Sequence, residues 1–167
     1  MHKIGKTIRK RRKEGKTDYK QRLGLLKSGS MRIVVRKTNS YIIIQYVKST
    51  EAKDKIIIGV SSKELLKNGW PNELKGSLKS IPAAYLTGLL IGKKITAKEK
   101  DSRAIADLGL EKSVSGSRVY AALKGIVDAG VKVNIGKNVF PDEERISGKH
   151  QSGDVQKIIK NVREKIQ

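Results

Sequence analysis

The stretch MRIVVRKTNSYIIIQYVKSTEAKDKIIIGV, residues 31–60, decides the fold. It contains β-branched and aromatic runs over residues 31–38, 41–48 and 56–60, separated by polar residues. Such runs predict strands, and short links between successive strands predict antiparallel neighbours. We therefore expect the folded region to begin with a three-stranded antiparallel meander.

The chain after this meander alternates helical and strand patterns. Helices are predicted from Pro82 and after Ser117, because apolar residues recur three and four positions apart. Residues 103–108 are strand-like and lie between these helices, and residues 131–135 follow the second one. The order, an antiparallel meander followed by β-α-β-α, predicts an α/β fold with a mixed sheet and helices packed on it, of ribonuclease-H-like or translational-machinery type.

Composition divides the chain into three regions. Residues 1–30 form a basic N-terminal extension, residues 31–136 the α/β domain, and residues 137–167 a C-terminal loop and helix extension. The loop carries consecutive acids at 142–144, which we expect to be solvated or to face a partner. The final helix is predicted from a narrow apolar stripe.

The N-terminal extension is strongly basic. The first 37 residues hold fourteen Lys or Arg and only two acids, in a chain whose net charge is +21. A segment with so few apolar residues cannot offset its own ordering entropy, so alone it is predicted to be disordered. Its charge suits a polyanion, because cations that neutralise phosphates release condensed counterions. A solubilising tail is the simpler alternative.

Several classes of protein are disfavoured by composition. There is no Cys, and the two histidines are far apart, so thiolate catalysis, disulfides and Cys-based zinc sites are excluded. No apolar run is long enough to span a membrane, no apolar segment follows the basic N-terminus as in a secretory signal, and the extension lacks the apolar stripe of a membrane-surface helix. We expect no cofactor, no bound metal and no membrane.

A metal-dependent nuclease is the enzyme that this order of elements invites. Two-metal cleavage needs several carboxylates converging on ions about 4 Å apart. Asp107, near the end of the fourth predicted strand, is at a plausible position, but the first strand carries no acid. We interpret Asp107 as a strand-end residue and expect no catalytic site.

Two groups of residues in the α/β domain suit an RNA. Arg32 and Arg36 share one face of the first strand, which predicts a surface that is either exposed or covered by RNA. The run 113–118 leads into the second helix, where free amides, Gly116 and Arg118 suit a phosphate, while Ser117 could equally be a simple helix cap. A third feature, Trp70 beside a proline, is either a base-stacking ring or, as we favour, a residue packed on the core.

A set of motifs along the chain is familiar. These are TDYKQRLGLL (17–26), RIVVRK (32–37), NGW (68–70), PAAYLTGLL (82–90), GSRVYAALKG (116–125), DAG (128–130) and PDEERI (141–146). In this order they resemble the L18 family of large-subunit ribosomal proteins in its archaeal form, whose eukaryotic relative is L5. The resemblance covers residues 9–150, and the PDEERI stretch favours the archaeal branch over the shorter bacterial one.

The resemblance implies a structural, non-enzymatic protein of the cytoplasmic ribosome. It would bind 5S rRNA, attach it to the large-subunit rRNA at the central protuberance, and contact neighbouring proteins of the 5S particle. The implied RNA-binding residues are Arg9, Lys10, Arg11, Arg12, Lys13, Lys16, Tyr19, Arg22, Arg32, Arg36 and Lys37. The resemblance implies the same role less strongly for Gly116, Ser117 and Arg118. A generic basic RNA-binding or chaperone protein is the alternative that composition alone leaves open.

Overall fold

The computed structural model describes residues 7–99, 102–150 and 153–166. Its strands are β1 (Met31–Lys37), β2 (Ile42–Thr50), β3 (Lys53–Ser61), β4 (Arg103–Asp107) and β5 (Lys132–Val133). Its α-helices are α1 (Lys10–Lys13), α2 (Tyr19–Lys27), α3 (Ile81–Lys98), α4 (Arg118–Asp128), α5 (Glu143–Ser147) and α6 (Gly153–Ile166). Short 3-10 helices cover Ser62–Asn68, Asn72–Ser77 and Lys137–Val139.

The strands form one mixed sheet in the order β3-β2-β1-β4-β5. β1, β2 and β3 pair antiparallel, which confirms the predicted meander, and β4 pairs parallel to both β1 and β5. β5 is shorter than the predicted strand over 131–135, because Val131 and Ile135 pack on the core beyond the two paired residues.

Helices α3 and α4 pack on one face of the sheet. Ile33 and Val35 point into this layer and are completely buried. The two helices approach at the level of their backbones, because a Cβ on Gly88 would lie 2.0 Å from the carbonyl oxygen of Ala122. A Cβ on Gly125 would likewise meet the Tyr85 carbonyl at 2.2 Å, so glycine is required at this crossing.

Two connections have more structure than the sequence indicated. Ser61 and Glu64 form a capping box at the start of the first 3-10 helix. The acidic segment 142–144 was expected to be a loop, but α5 begins there; its three acids are exposed, as expected. Trp70 is 4 % exposed and its Nε1 donates to the Leu74 carbonyl at 3.1 Å, which confirms the core interpretation over base stacking.

The C-terminal helix also joins the core. α6 buries Ile159, Val162 and Ile166 on one side, as its apolar stripe predicted. None of the helices that the structure describes is long and apolar enough to cross a membrane.

The N-terminal extension has local structure where disorder was predicted. α1 and α2 bury no residue, so neither is held by an apolar core of its own. α2 forms because Asp18 caps it, accepting hydrogen bonds from the amides of Lys20 and Gln21 at 2.9 and 3.1 Å. Composition alone missed this cap, while the predicted ordering on RNA stays a prediction.

Candidate nucleic-acid interface

The tail presents its positive charge to solvent. Six cations of the predicted RNA-binding set are exposed: Arg9, Lys10, Arg11, Arg12, Lys13 and Lys16. Their contacts are local, such as the hydrogen bond from Arg11 to Thr17 Oγ1 at 2.9 Å and the Lys16–Glu14 ion pair at 2.9 Å. Exposed ion pairs of this kind contribute little to stability, so these cations are available to an anionic partner.

Tyr19 and Arg22 tie the tail to itself and to the sheet. The guanidinium of Arg9 stacks 4.9 Å from the centre of the Tyr19 ring. Arg22 reaches the β2–β3 hairpin, where it pairs with Asp54 at 3.0 Å and donates to the Ala52 carbonyl at 3.3 Å. Arg22 therefore docks α2 on the folded domain, a contact that sequence reasoning missed.

Arg32 is the main correction to the predicted site. It is 1 % exposed, so the expectation that it lies on an open face is wrong. Its guanidinium donates to Asp107 Oδ2 at 2.8 Å, and on the other side to Asp54 Oδ1 at 2.6 Å. A buried charge requires such pairing, because an unpaired one is very costly to desolvate.

Asp54 connects these two arginines. Burial by itself raises the pKa of the Asp54 carboxyl, but hydrogen bonds from Arg22, Ser49 and Arg32 outweigh burial and lower the pKa below its usual value. The carboxylate is thus held in its charged form between the tail and the sheet.

Asp107 belongs to the same ionic network. Both of its carboxylate oxygens accept hydrogen bonds from arginines, Oδ2 from Arg32 and Oδ1 from Arg36 at 2.9 Å. No group of three or more acidic, His or Cys side chains able to hold a metal occurs among the described residues. The interpretation of Asp107 as a strand-end residue agrees with this geometry.

Arg36 and Lys37 lie at the end of β1 beside the loop 108–116. Arg36 Nη1 donates to the carbonyls of Val35 and Asp107 at 2.9 and 2.8 Å, yet 42 % of its side chain remains exposed. The guanidinium is packed against Gly109, where a Cβ would come within 2.9 Å of Arg36 Cζ. Lys37 pairs with Glu111 of the same loop at 2.9 Å. Arg36 is therefore a rigid, half-exposed cation.

The sheet face opposite the helices carries this arginine. Side chains that alternate with the buried ones, including Val34 on β1 and Ile43 and Gln45 on β2, are only partly buried. This face joins the docked helix α2 on one side, through the ionic network of Arg22, and the loop 108–116 on the other, through Arg36. This face therefore carries Arg36 among half-buried apolar and polar side chains, and a cation in a fixed position suits a nucleic-acid contact.

The segment Gly116–Arg118 lies at the start of α4, as predicted. Ser117 is in the cap position but makes no capping hydrogen bond, and its Oγ is buried without a partner among the described residues. Gly116 has φ +70°, and a Cβ there would meet nothing within 4 Å, so the space beside it is open. Arg118 is half-exposed, with one weak contact to the Lys79 carbonyl at 3.4 Å.

Two further cations border this segment and were missed from the sequence. Lys112 and Arg145 line the same cavity as Ser117. Glu144 of the adjacent acidic triplet pairs with Lys149, at 3.3 Å. No local sequence signal brings Arg145 to the start of α4, because the contact depends on how α5 packs on the domain.

Comparison with known proteins agrees with this geometry. The family described as "Ribosomal large subunit proteins 60S L5, and 50S L18" matches residues 5–103. Large ribosomal subunit protein uL18 of Korarchaeum cryptofilum is 47 % identical over 149 residues, covering 89 % of this chain and 74 % of the relative. The uL18 protein of Methanoregula boonei is 42 % identical over 92 % of this chain and 88 % of its own length, and that of Methanoculleus marisnigri is 48 % identical over 84 % and 78 %. These relatives carry the names of ribosomal proteins and not of enzymes. With more than half of the chain matched by the family and archaeal relatives aligned over most of its length, the chain belongs to the L5/L18 family of large-subunit ribosomal proteins.

Proposed function

We propose that this protein binds 5S rRNA and attaches it to the large-subunit rRNA at the central protuberance, beside neighbouring large-subunit proteins. The observation that carries the proposal is the run of exposed cations from Arg9 to Lys16, joined through α2 to the sheet face that carries Arg36, in a chain of the L5/L18 family. The motifs quoted above support 5S rRNA as the specific ligand.

The two parts of the interface have different roles in this proposal. The tail supplies phosphate contacts whose strength depends on charge and salt but not on RNA shape. The sheet face and the loop 108–116 supply cations in fixed positions, with Arg36 foremost, and fixed geometry is how structured RNA is recognised. Arg32, Asp54 and Asp107 position these elements from within and do not themselves touch the RNA.

The RNA that accompanies the protein tests the proposal most simply. The full-length protein is purified under mild salt from cells, and its bound RNA is sequenced. One short discrete species, 5S rRNA, supports the proposal. A broad mixture of RNAs would instead favour a generic basic chaperone.

The contribution of the tail is tested by matched charge neutralisation. One variant changes Lys10, Arg12, Lys13 and Lys16 to Gln. Its control changes four exposed lysines outside the tail to Gln, so that both variants lose four positive charges. These lysines are Lys67, Lys75, Lys98 and Lys160.

Both variants are compared with the unmodified protein by filter binding to 5S rRNA across a range of salt concentrations. The tail variant should flatten the slope of log affinity against log salt by about 3 units, since each lost phosphate contact contributes roughly 0.7 to 0.9. The control should change it by less than about 1 unit. Equal effects of the two variants would show that only net charge matters and would remove the tail from the interface.

A further inference from the structure

A cavity of about 600 Å³ opens at the start of α4. We call it the α4 pocket. It is formed by the end of β1, the loop 108–116, the first turn of α4 and the short helix α5. Its charged lining residues are Lys37, Glu111, Lys112, Arg118 and Arg145, four cations and one carboxylate. These side chains come from segments far apart in sequence, so folding brings them together.

The single carboxylate of the pocket is already neutralised. Glu111 pairs with Lys37 at 2.9 Å. Among the described residues, neither Lys112 nor Arg145 has an ion pair, and Arg118 has only its weak bond to the Lys79 carbonyl. Three cations therefore line one cavity without a carboxylate of the cavity paired to them, an arrangement that attracts an anion.

Ser117 is the second, independent feature of the pocket. A serine at this position ordinarily accepts a hydrogen bond from the second or third amide of its helix. Here it makes no such bond, and its Oγ is buried without any partner among the described residues. The first amides of α4 have no acceptor within the helix, and the helix dipole favours an anion beside them. The open space beside Gly116 leaves room for that anion.

We propose that the α4 pocket binds one backbone phosphate of the RNA, held by Arg118, Arg145 and Lys112 and by the Ser117 hydroxyl. The inference rests on the proposed function and adds Lys112 and Arg145 to the interface. A guanidinium can donate two parallel hydrogen bonds to one phosphate, which suits Arg145 and Arg118. Leu110 lines the pocket next to Gly109, against which Arg36 is packed, so a bound strand could run from the sheet face into the pocket.

The first test separates a ligand role of Ser117 from a capping role. Ser117→Ala in the full-length protein should leave the urea midpoint of unfolding unchanged or raise it, because no cap is lost and a buried hydroxyl without a partner is removed. It should lower affinity for 5S rRNA about tenfold to a hundredfold, the range for a hydrogen bond to a charged group. If the midpoint falls while the affinity stays the same, Ser117 is a cap and the proposal is wrong.

The second test addresses the new cations. Arg145→Gln and Lys112→Gln should each weaken 5S rRNA binding about tenfold and together flatten the salt slope by roughly 1 to 2 units. Lys149→Gln is the matched control, because Lys149 is an exposed cation near Arg145 that pairs with Glu144 and does not line the pocket. Equal affinity of all three variants and the unmodified protein would overturn the proposal.

A titration with inorganic phosphate keeps this inference distinct from the proposed function. In the free protein, phosphate should shift the amide resonances of Arg118 and Val119, and Arg145→Gln should abolish the shift. If the unmodified protein fails to bind 5S rRNA, the proposed function falls, while the phosphate shifts still decide whether the pocket takes an anion. Absence of these shifts, with 5S rRNA binding intact in every pocket variant, rejects the pocket alone.

Discussion

Replacing Asp107 by Ala should destabilise the fold strongly, although the side chain is polar and ends a strand. The substitution leaves Arg32, which is 1 % exposed, without its 2.8 Å partner. It also removes the ion pair of Arg36 at 2.9 Å, while the hydrogen bonds from Arg36 to the Val35 and Asp107 carbonyls remain. A buried guanidinium left without one of its two carboxylate partners, and not a lost attraction, is the dominant cost.

The magnitude follows from burial. Breaking a buried ion pair by removing one partner costs about 3–5 kcal/mol. Asp54 and Ser49 still accept hydrogen bonds from the other side of the Arg32 guanidinium. We therefore expect the unfolding free energy to fall by about 3 kcal/mol, the lower end of this range. The control is Glu111→Ala. It removes the ion-pair partner of Lys37, a residue on the same strand as Arg32. Both side chains of that pair are about one-third exposed, so its loss should cost about 0–1 kcal/mol.

Urea unfolding followed by circular dichroism measures both variants against the unmodified protein, with unchanged m values as the check on two-state behaviour. Asp107→Asn keeps a hydrogen-bond acceptor but not the charge, so its loss of unfolding free energy should lie between those of Asp107→Ala and Glu111→Ala. If Asp107→Ala costs no more than Glu111→Ala, Arg32 is not held as a buried charge and its positioning role fails.

Four further perturbations test separate features. Gly88→Ala should cost at least about 1–3 kcal/mol in unfolding free energy through overpacking at the α3–α4 crossing, whereas Gly24→Ala, whose Cβ meets nothing within 4 Å, should stabilise α2 by about 0.5–1 kcal/mol. Ala52→Gly should raise the unfolding free energy by about 1 kcal/mol, because Ala52 has φ +64° in the β2–β3 turn; a loss would mean that this backbone is not strained. The pKa of Asp54 is lowered in the folded protein, so the Asp54 carboxylate stabilises the fold above its usual pKa of 3.8, and this stabilisation is lost as the pH falls below that value. The unfolding free energy of Asp54→Asn should therefore decrease less steeply in acid than that of the unmodified protein. Limited trypsin should cut residues 9–22 in free protein and not in the 5S rRNA complex, and resistance without RNA would contradict a tail that is ordered by binding.

Elements with strong local signals were predictable from the sequence. The strands of the meander follow from β-branched runs, and α4 follows from its apolar spacing and from the glycine at 130. The glycine at position 88 is a residue type that close helix packing favours, because a side chain there would meet the Ala122 carbonyl. In each case the deciding interaction lies within a few residues or depends on one residue type.

The candidate site was predictable only in outline. Alternation places Arg32 and Arg36 on one face of β1, but their different exposure depends on acids 22 and 75 residues away from Arg32, at Asp54 and Asp107. A pattern of residues in one strand contains no information about which carboxylate the neighbouring strand brings opposite. The same holds for Arg145, which reaches the α4 pocket only through the packing of α5.

Competition between RNAs shows whether this protein selects 5S rRNA over other structured RNA. Labelled 5S rRNA is bound to the full-length protein at about 0.15 M salt, where exposed charges are screened beyond about 8 Å. Unlabelled 5S rRNA or transfer RNA is then added. If the protein recognises 5S rRNA specifically, transfer RNA should displace the label only at concentrations on the order of a thousandfold higher or more, as for specific over non-specific nucleic-acid binding. Displacement by both RNAs at the same concentration would contradict it and leave a generic basic RNA-binding protein.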